Sequence, residues 1–298
     1  MRIEQHPILR FEKGPLVQFQ LDGRTLEGHE GETIAAALHA AGVRVLRHSI
    51  KLGRPRGFFC AIGRCSSCLM TVDGVPNVMT CITPLKRGMR IETQKGKGVI
   101  ADQEPPLPEP DADYARDLGR IPLAVVGAGP AGLSAAIAAG GLGIESVVID
   151  ENERRGGQLI KQTHMFFGSK EHYARVRGVD IGDRLFDELS GRPVSMMKGT
   201  TVLGLYPDRV LALLRKGTYH RLSADAVILA TGASENMLAF ENCDLPGVYG
   251  AGAVQTLMNV DGVAPGRRVL MVGAGNIGLI VSYQLLQAGV EVAAVIEG

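Results

Sequence analysis

No apolar run in the 298-residue chain approaches the length of a membrane span, and the opening Met1-Arg2-Ile3-Glu4-Gln5-His6-Pro7 has no apolar signal core. No membrane span is therefore expected, and a cytoplasmic location is. Aromatic residues are only 5% of the chain, and the basic residues are not interleaved with them as base stacking would require, so nucleic acid is not an expected partner. Cysteine is also sparse, at five, and the C-x2-C spacing occurs once, at Cys65 and Cys68. Structural zinc usually draws on two such pairs.

What the chain does have is enough apolar content, 45%, for about two soluble globular domains. Its net charge of +1 hides a partition: fifteen Lys and Arg face eight Asp and Glu in residues 1–100, two face six in 101–120, and fifteen face seventeen in 121–298. The first segment is basic. The second is acidic, carries Pro105, Pro106, Pro108 and Pro110, and reads as an extended linker, because proline removes backbone donors and fixes φ.

The strongest motif is Gly127-Ala128-Gly129-Pro130-Ala131-Gly132, which follows the apolar residues 123–126 and opens an alanine-rich helical stretch. A pyrophosphate sits well against unpaired amides at a helix N-terminus, where the helix dipole favours negative charge. Gly127 makes the turn, Gly129 clears the approach of the phosphates, and Gly132 lets helix and strand pack closely. A second apolar strand, 146–149, ends in Asp150 with Glu151 beside it, the position of an acid that bonds a ribose hydroxyl. The rival reading is a glycine turn in a βαβ unit that holds no ligand.

Earlier in the chain, residues 16–27 alternate apolar and polar around Asp22-Gly23, which predicts a hairpin, and residues 31–38 predict a short helix capped by Thr33 and stopped by Gly42. Hairpin then helix suggests a β-grasp domain. Within it Cys60, Cys65 and Cys68 have the C-x4-C-x2-C spacing of three ligands to a [2Fe–2S] cluster, with Cys81 as the fourth. Gly63 would let the loop wrap the sulfides, and Lys51, Arg54, Arg56 and Arg64 would offset the negative charge. Zinc and plain reduced cysteines are the alternatives.

The stretch 47–60, Arg-His-Ser-Ile-Lys-Leu-Gly-Arg-Pro-Arg-Gly-Phe-Phe-Cys, resembles the N-terminal domain of sarcosine oxidase alpha subunits and their relatives, the opine oxidase, hydrogen cyanide synthase and L-proline dehydrogenase subunits. The resemblance extends over essentially the whole chain. Residues 154–159, with Gly157 and Gln158, resemble the segment of thioredoxin-reductase-like flavoproteins that runs beside FAD, and Thr231-Gly232 resembles the turn leading out of their FAD domain. No C-x-x-C pair follows that turn, which argues against disulfide chemistry, and Cys243 reads as a packing residue. The aromatic run 163–168 would flank the flavin or pack in the core, and His164 and His172 carry no clear proton-transfer role.

A second fingerprint, Gly273-Ala274-Gly275-Asn276-Ile277-Gly278, again joins strand to helix, with Glu297 at the ribose position. An acid there suits NAD or another adenine nucleotide; a fold relic that binds nothing is the alternative. In the resembled family a later segment completes the FAD domain, so a truncated chain is expected.

The expected fold is α/β: a β-grasp [2Fe–2S] domain at 1–100, the linker at 101–120, a doubly wound FAD-binding domain at 121–265, and the start of a second nucleotide-binding unit at 266–298. By resemblance the function is that of an electron-transferring FAD and iron–sulfur oxidoreductase subunit. It would serve a multi-subunit dehydrogenase or oxidase of a secondary amine or amino acid, with the amine site on a second flavoprotein subunit. The competing readings are a self-contained NAD(P)H-dependent reductase and a non-catalytic component for electron transfer or assembly.

Overall fold

The computed structural model describes residues 1–99 and 115–298. Two compact units emerge: residues 1–99 together with Glu235–Gly298, and residues 115–234. The prolines of the expected linker lie outside the described residues.

The first unit begins with a hairpin, β1 (Leu16–Leu21) and β2 (Arg24–His29), whose turn places Asp22 and Gly23 at positive φ. Helix α1 (Ile34–Ala40) follows; the Thr33 side chain accepts the Ala36 amide proton and Gly42, at φ 89°, ends it. A two-residue pair, β3 (Arg47–His48) and β4 (Pro55–Arg56), precedes the cysteines. Then come β5 (Leu69–Val72), β6 (Val75–Met79) and β7 (Arg90–Glu92), giving the five-stranded order β2-β1-β7-β5-β6. Helix α1 buries Ile34 to Leu38 against this sheet, with Val17, Phe19, Met70 and Ile91 facing it.

The second unit is a six-stranded sheet of order β10-β9-β8-β13-β12-β11. Its members are β8 (Ala115–Val126), β9 (Ser146–Ile149), β10 (Val194–Met197), β11 (Thr200–Tyr206), β12 (Val210–Arg215) and β13 (Thr218–Leu229). β8 pairs in parallel with β9 and β13, and alternate residues feed two cores: Leu123 and Val125 pack under helices α2 (Pro130–Gly141) and α3 (Gly178–Asp187), Ala124 and Val126 under the β11–β13 side. That two-sided burial explains the unbroken apolar run in the sequence. Strand β8 starts at Ala115, inside the stretch assigned to the linker. Beyond the prolines, backbone donors return and Ala115–Arg120 pair along β13, with Asp117 and Arg120 bonded to Arg221 and Asp225.

After β13 the chain returns to the first unit through α4 (Ala251–Asn259), β14 (Arg268–Val272), α5 (Asn276–Gln287) and β15 (Glu291–Ile296). Glu235 caps α4, accepting the amide protons of Ala251 and Gly252, each at 2.9 Å. Residues 235–265, assigned by sequence to the flavin domain, thus pack with the cysteine domain. α4 is apolar on two sides: Ala253 and Leu257 join the core of α1, while Val254 and Met258 join that of β14 and α5. Among the described residues no helix is long and apolar enough to cross a membrane.

Candidate functional sites

The four cysteines converge. Cys60, Cys68 and Cys81 are buried and Cys65 is partly exposed. Their thiols contact one another in the order Cys65, Cys60, Cys81, Cys68. Hydrogen bonds from the Cys65 and Cys81 thiols hold Cys60 far below the ordinary thiol range, and a bond from Cys81 brings Cys68 down to about 7. Cys65 and Cys81 are pushed up correspondingly, by donating those protons and then by burial.

The intervening loop turns its backbone inward. Ala61, Gly63 and Ser66 all have positive φ, and the amides of Ile62 and Arg64 reach Cys60, that of Ser67 reaches Cys65, and that of Gly63 reaches Cys81. Glycine suits position 63 chiefly because its φ of 68° is strained for other residues; a Cβ there would also meet the Cδ1 of Ile82 at 2.8 Å, the movable end of an exposed side chain. Among the described residues no three His, Cys, Asp or Glu groups converge on a point that would hold a single metal ion. The four thiols form one unbroken chain of contacts, with Cys60 touching both Cys65 and Cys81 and Cys81 touching both Cys60 and Cys68. Four thiols gathered at one place match the ligand number of a [2Fe–2S] centre, in which each iron takes two thiolates.

The basic residues around this site are placed differently from the expectation. Arg54 and Arg56 are both bonded to Asp244, at 2.7 and 2.5 Å, so they brace the β3–β4 hairpin instead of facing the sulfurs. A carboxylate nearly two hundred residues away along the sequence captured them. Arg47, which sequence reasoning passed over, is buried and donates to the Ser66 carbonyl of the cysteine loop at 3.4 Å. Thr80 is the other omission; its hydroxyl donates to the Cys68 carbonyl at 2.7 Å.

In the second unit Gly127 to Gly132 form the turn between β8 and α2, with Pro130 and Ala131 in the first helical turn. The three glycines are glycine for different reasons. A side chain on Gly127, at φ 108°, would overlap the Ala230 carbonyl oxygen, and one on Gly132 would overlap that of Gly127. Gly129 has ordinary backbone angles, and a methyl there would approach nothing within 4 Å except the Gly157 Cα at 3.9 Å. The protein itself does not demand glycine at 129. Open space over helix-terminal amides is what a pyrophosphate needs.

Gly157 stands directly opposite: a side chain there would fall 2.8 Å from the Gly129 Cα, and the Gly156 amide donates to the Ala128 carbonyl at 2.9 Å. Gln158 is exposed beside it, and Thr231 and Gly232 follow Ala230 at the same turn. Asp150 is buried, and its carboxylate is already committed to the Ala128 amide at 2.6 Å and the Asn152 amide at 2.8 Å. Glu151 next to it is exposed. The aromatic run is split: Phe166 packs in the core with His164 stacked on it at 5.1 Å, and Phe167 is 73% exposed.

The second turn repeats the first. Gly273 and Gly275 are open, Gly278 lies against the Gly273 carbonyl, Asn276 begins α5, and Glu297 accepts the Ala274 amide proton.

Comparison with known proteins finds a family for each of the two regions. Residues 14–96 match the 2Fe-2S iron-sulfur cluster binding domain, and residues 121–298 match the pyridine nucleotide-disulphide oxidoreductase family. The chain belongs to the pyridine nucleotide-disulphide oxidoreductase family. This oxidoreductase is 28% identical to the alpha subunit of sarcosine oxidase from Rhizobium meliloti, over 94% of the chain and 34% of that protein. It is 31% identical to one subunit of the opine oxidase of Agrobacterium tumefaciens, over 59% of the chain and 36% of that protein. In structure it is similar to L-proline dehydrogenase from P. horikoshii, with a TM-score of 0.79 and 26% identity over 97% of the chain and 55% of that one. The chain thus spans about a third of the length of the curated relatives it matches. Cys243 is the only cysteine outside the group of four, so this family member has no second cysteine to pair with it near its second nucleotide turn.

Proposed function

We propose that this chain relays electrons in a multi-subunit dehydrogenase or oxidase acting on a secondary amine or amino acid of the sarcosine, proline or opine type. The observation that carries the reading is the presence, in one chain, of a four-thiol site and a dinucleotide turn left open at Gly129. Cys60, Cys65, Cys68 and Cys81 would hold a [2Fe–2S] cluster. Gly127, Gly129, Pro130, Ala131, Gly132, Gly157, Gln158, Thr231 and Gly232 would surround FAD, with Glu151 free to meet the ribose and Asp150 bracing the turn. A flavin takes two electrons and releases them singly, which matches it to a one-electron centre. Gly273, Gly275, Asn276, Gly278 and Glu297 offer a second site suited to NAD or another adenine nucleotide.

Substrate oxidation belongs on a partner. A secondary amino acid needs its carboxylate clamped, commonly by a bidentate arginine, and its C–H held near the flavin. Here Arg2, Arg54, Arg56 and Arg155 are engaged with Glu32, Asp244 and Asp183. A second flavoprotein subunit would carry the amine site, and the name of the sarcosine oxidase relative, that of one subunit among several, supports the arrangement.

The test is to assay the purified chain, with FAD and an artificial acceptor, against sarcosine, L-proline and opines, alone and with the product of a neighbouring flavoprotein gene. Turnover should require the second protein. Robust turnover by the chain alone would place the amine site here. The open turn at Gly275 favours one second reading, a reductase that draws on NADH, for which rapid bleaching of the flavin by NADH is the signature.

A further inference from the structure

We infer that the face around the cysteine loop is the docking surface for an acidic one-electron carrier protein. The inference rests on the cluster reading above for its redox step; the surface itself is argued from charge and exposure.

Between Glu32 and Asp73 the chain has no acidic residue, while it carries Arg44, Arg47, Lys51, Arg54, Arg56 and Arg64. Forty residues without a carboxylate, in a protein with nearly equal acids and bases, make a strongly one-signed segment. Two of its arginines share the single carboxylate of Asp244 and one, Arg47, is buried; Lys51 and Arg64 are exposed.

This segment builds the wall of the thiol site nearest to solvent. Cys65 is the one thiol of the four that is not buried. It stands between exposed Arg64 and exposed Ser66, with Ile62 on the same loop. Ile82, 52% exposed, lies over Gly63. The β3–β4 hairpin, tied to the loop by the Arg47–Ser66 bond, carries Ile50 and Leu52, exposed at 57% and 72%, on either side of Lys51. Exposed Ile50, Leu52, Ile62 and Ile82, together with exposed Lys51 and Arg64, on or beside the loop and hairpin around the one partly exposed thiol, have the composition of a docking patch; the nearby carboxylates Asp244 and Glu241 act on Arg54.

Charge complementarity then selects the partner. A positive rim steers a negatively charged protein into register and speeds encounter. The thiol nearest to solvent marks the shortest route out, and such a centre passes electrons one at a time. The step balances simply: the carrier gains one electron as the centre on the four cysteines loses one, and no proton or bond changes hands. A two-electron acceptor does not fit this outlet.

The probe is a flavodoxin, an acidic one-electron carrier, titrated calorimetrically into the 298-residue chain in the oxidised state so that binding is read without turnover. Affinity should fall steeply with added salt. Lys51→Glu/Arg64→Glu should weaken it about tenfold, chiefly through the association rate, and Ile50→Ser/Leu52→Ser should speed dissociation. Arg24→Glu, on β2 at the opposite edge of the sheet from β6, should leave affinity unchanged. Basic cytochrome c should show the reverse response to the charge reversal. Iron and sulfide are assayed in every variant, so loss of the cluster is separated from loss of docking. Absence of flavodoxin binding, equal effects of Lys51→Glu/Arg64→Glu and Arg24→Glu, or occupation of this face by a second copy or by the amine-oxidising subunit would overturn the inference.

Discussion

The carboxylate of Asp150 at the end of β9 accepts the amide proton of Ala128, the residue between the first two glycines of the dinucleotide turn, at 2.6 Å. Glu297 at the end of β15 does the same for Ala274. In both units the acid that follows the second strand clamps the turn that follows the first, so the conformation of the glycine turn is held by a residue more than twenty positions downstream. The acid's first role is to shape the loop.

It follows that Asp150→Ala should cost stability as well as cofactor. The Ala128 amide would be left buried without an acceptor, a loss of about 1–3 kcal/mol, while Asp150→Asn keeps one acceptor oxygen and should lose less. Thermal unfolding and FAD titration on the same samples check this. Glu151→Gln, at an exposed position, should weaken FAD binding with little change in melting temperature.

The glycines separate fold from ligand. Gly129→Val should abolish FAD binding, and Gly129→Ala should weaken it while leaving the melting temperature nearly unchanged, because only the Gly157 Cα comes within 4 Å of the new Cβ. Gly132→Ala, whose methyl would overlap the Gly127 carbonyl oxygen, should destabilise the unit by about 1–3 kcal/mol even without cofactor. Equal effects of Gly129→Ala and Gly132→Ala on stability would contradict the division of roles.

For the thiol site, protein purified without oxygen should carry about two irons and two acid-labile sulfides, and dithionite should give the EPR signal of a reduced [2Fe–2S] centre. Serine at Cys60, Cys65, Cys68 or Cys81 should lower both contents, whereas Cys243→Ser should change neither. Stoichiometric zinc without labile sulfide would refute the assignment.

His39 predicts a pH dependence. Burial, reinforced by Arg44, lowers its pKa to about 4. Its imidazole is shut in against Phe58, Tyr249 and the Pro265 carbonyl. The unfolded chain, with histidine near 6.5, takes up a proton that the folded one refuses, so stability should fall as pH drops from about 6.5 towards 4. The loss should approach about 3 kcal/mol. His39→Gln should flatten that part of the stability profile, measured by denaturant titration at several pH values.

Much of this protein was legible in its sequence because the relevant signals are local. The Asp22-Gly23 hairpin, the Thr33 cap, the cysteine spacing and both glycine turns depend on neighbours in the chain, and the structure places each where pattern reading does. What was hidden is long-range. Nothing near Arg54 announces Asp244, and the run 251–259 gives no local sign that its two faces serve different cores. The linker was overextended because proline punctuates only its own vicinity, while the pairing that makes Ala115–Arg120 a strand comes from β13, about a hundred residues later.

The two-sided packing of α4 has a thermodynamic consequence. Ala253 and Leu257 are part of the core that supports the cysteine domain, and Val254 and Met258, one position along, are part of the core beneath β14 and α5. Neither core can be dissolved without stripping a face from the helix that the other needs. The two should therefore lose protection against amide exchange together, as one cooperative block, and a fragment ending near residue 100 should be left with a wound where α4 had been.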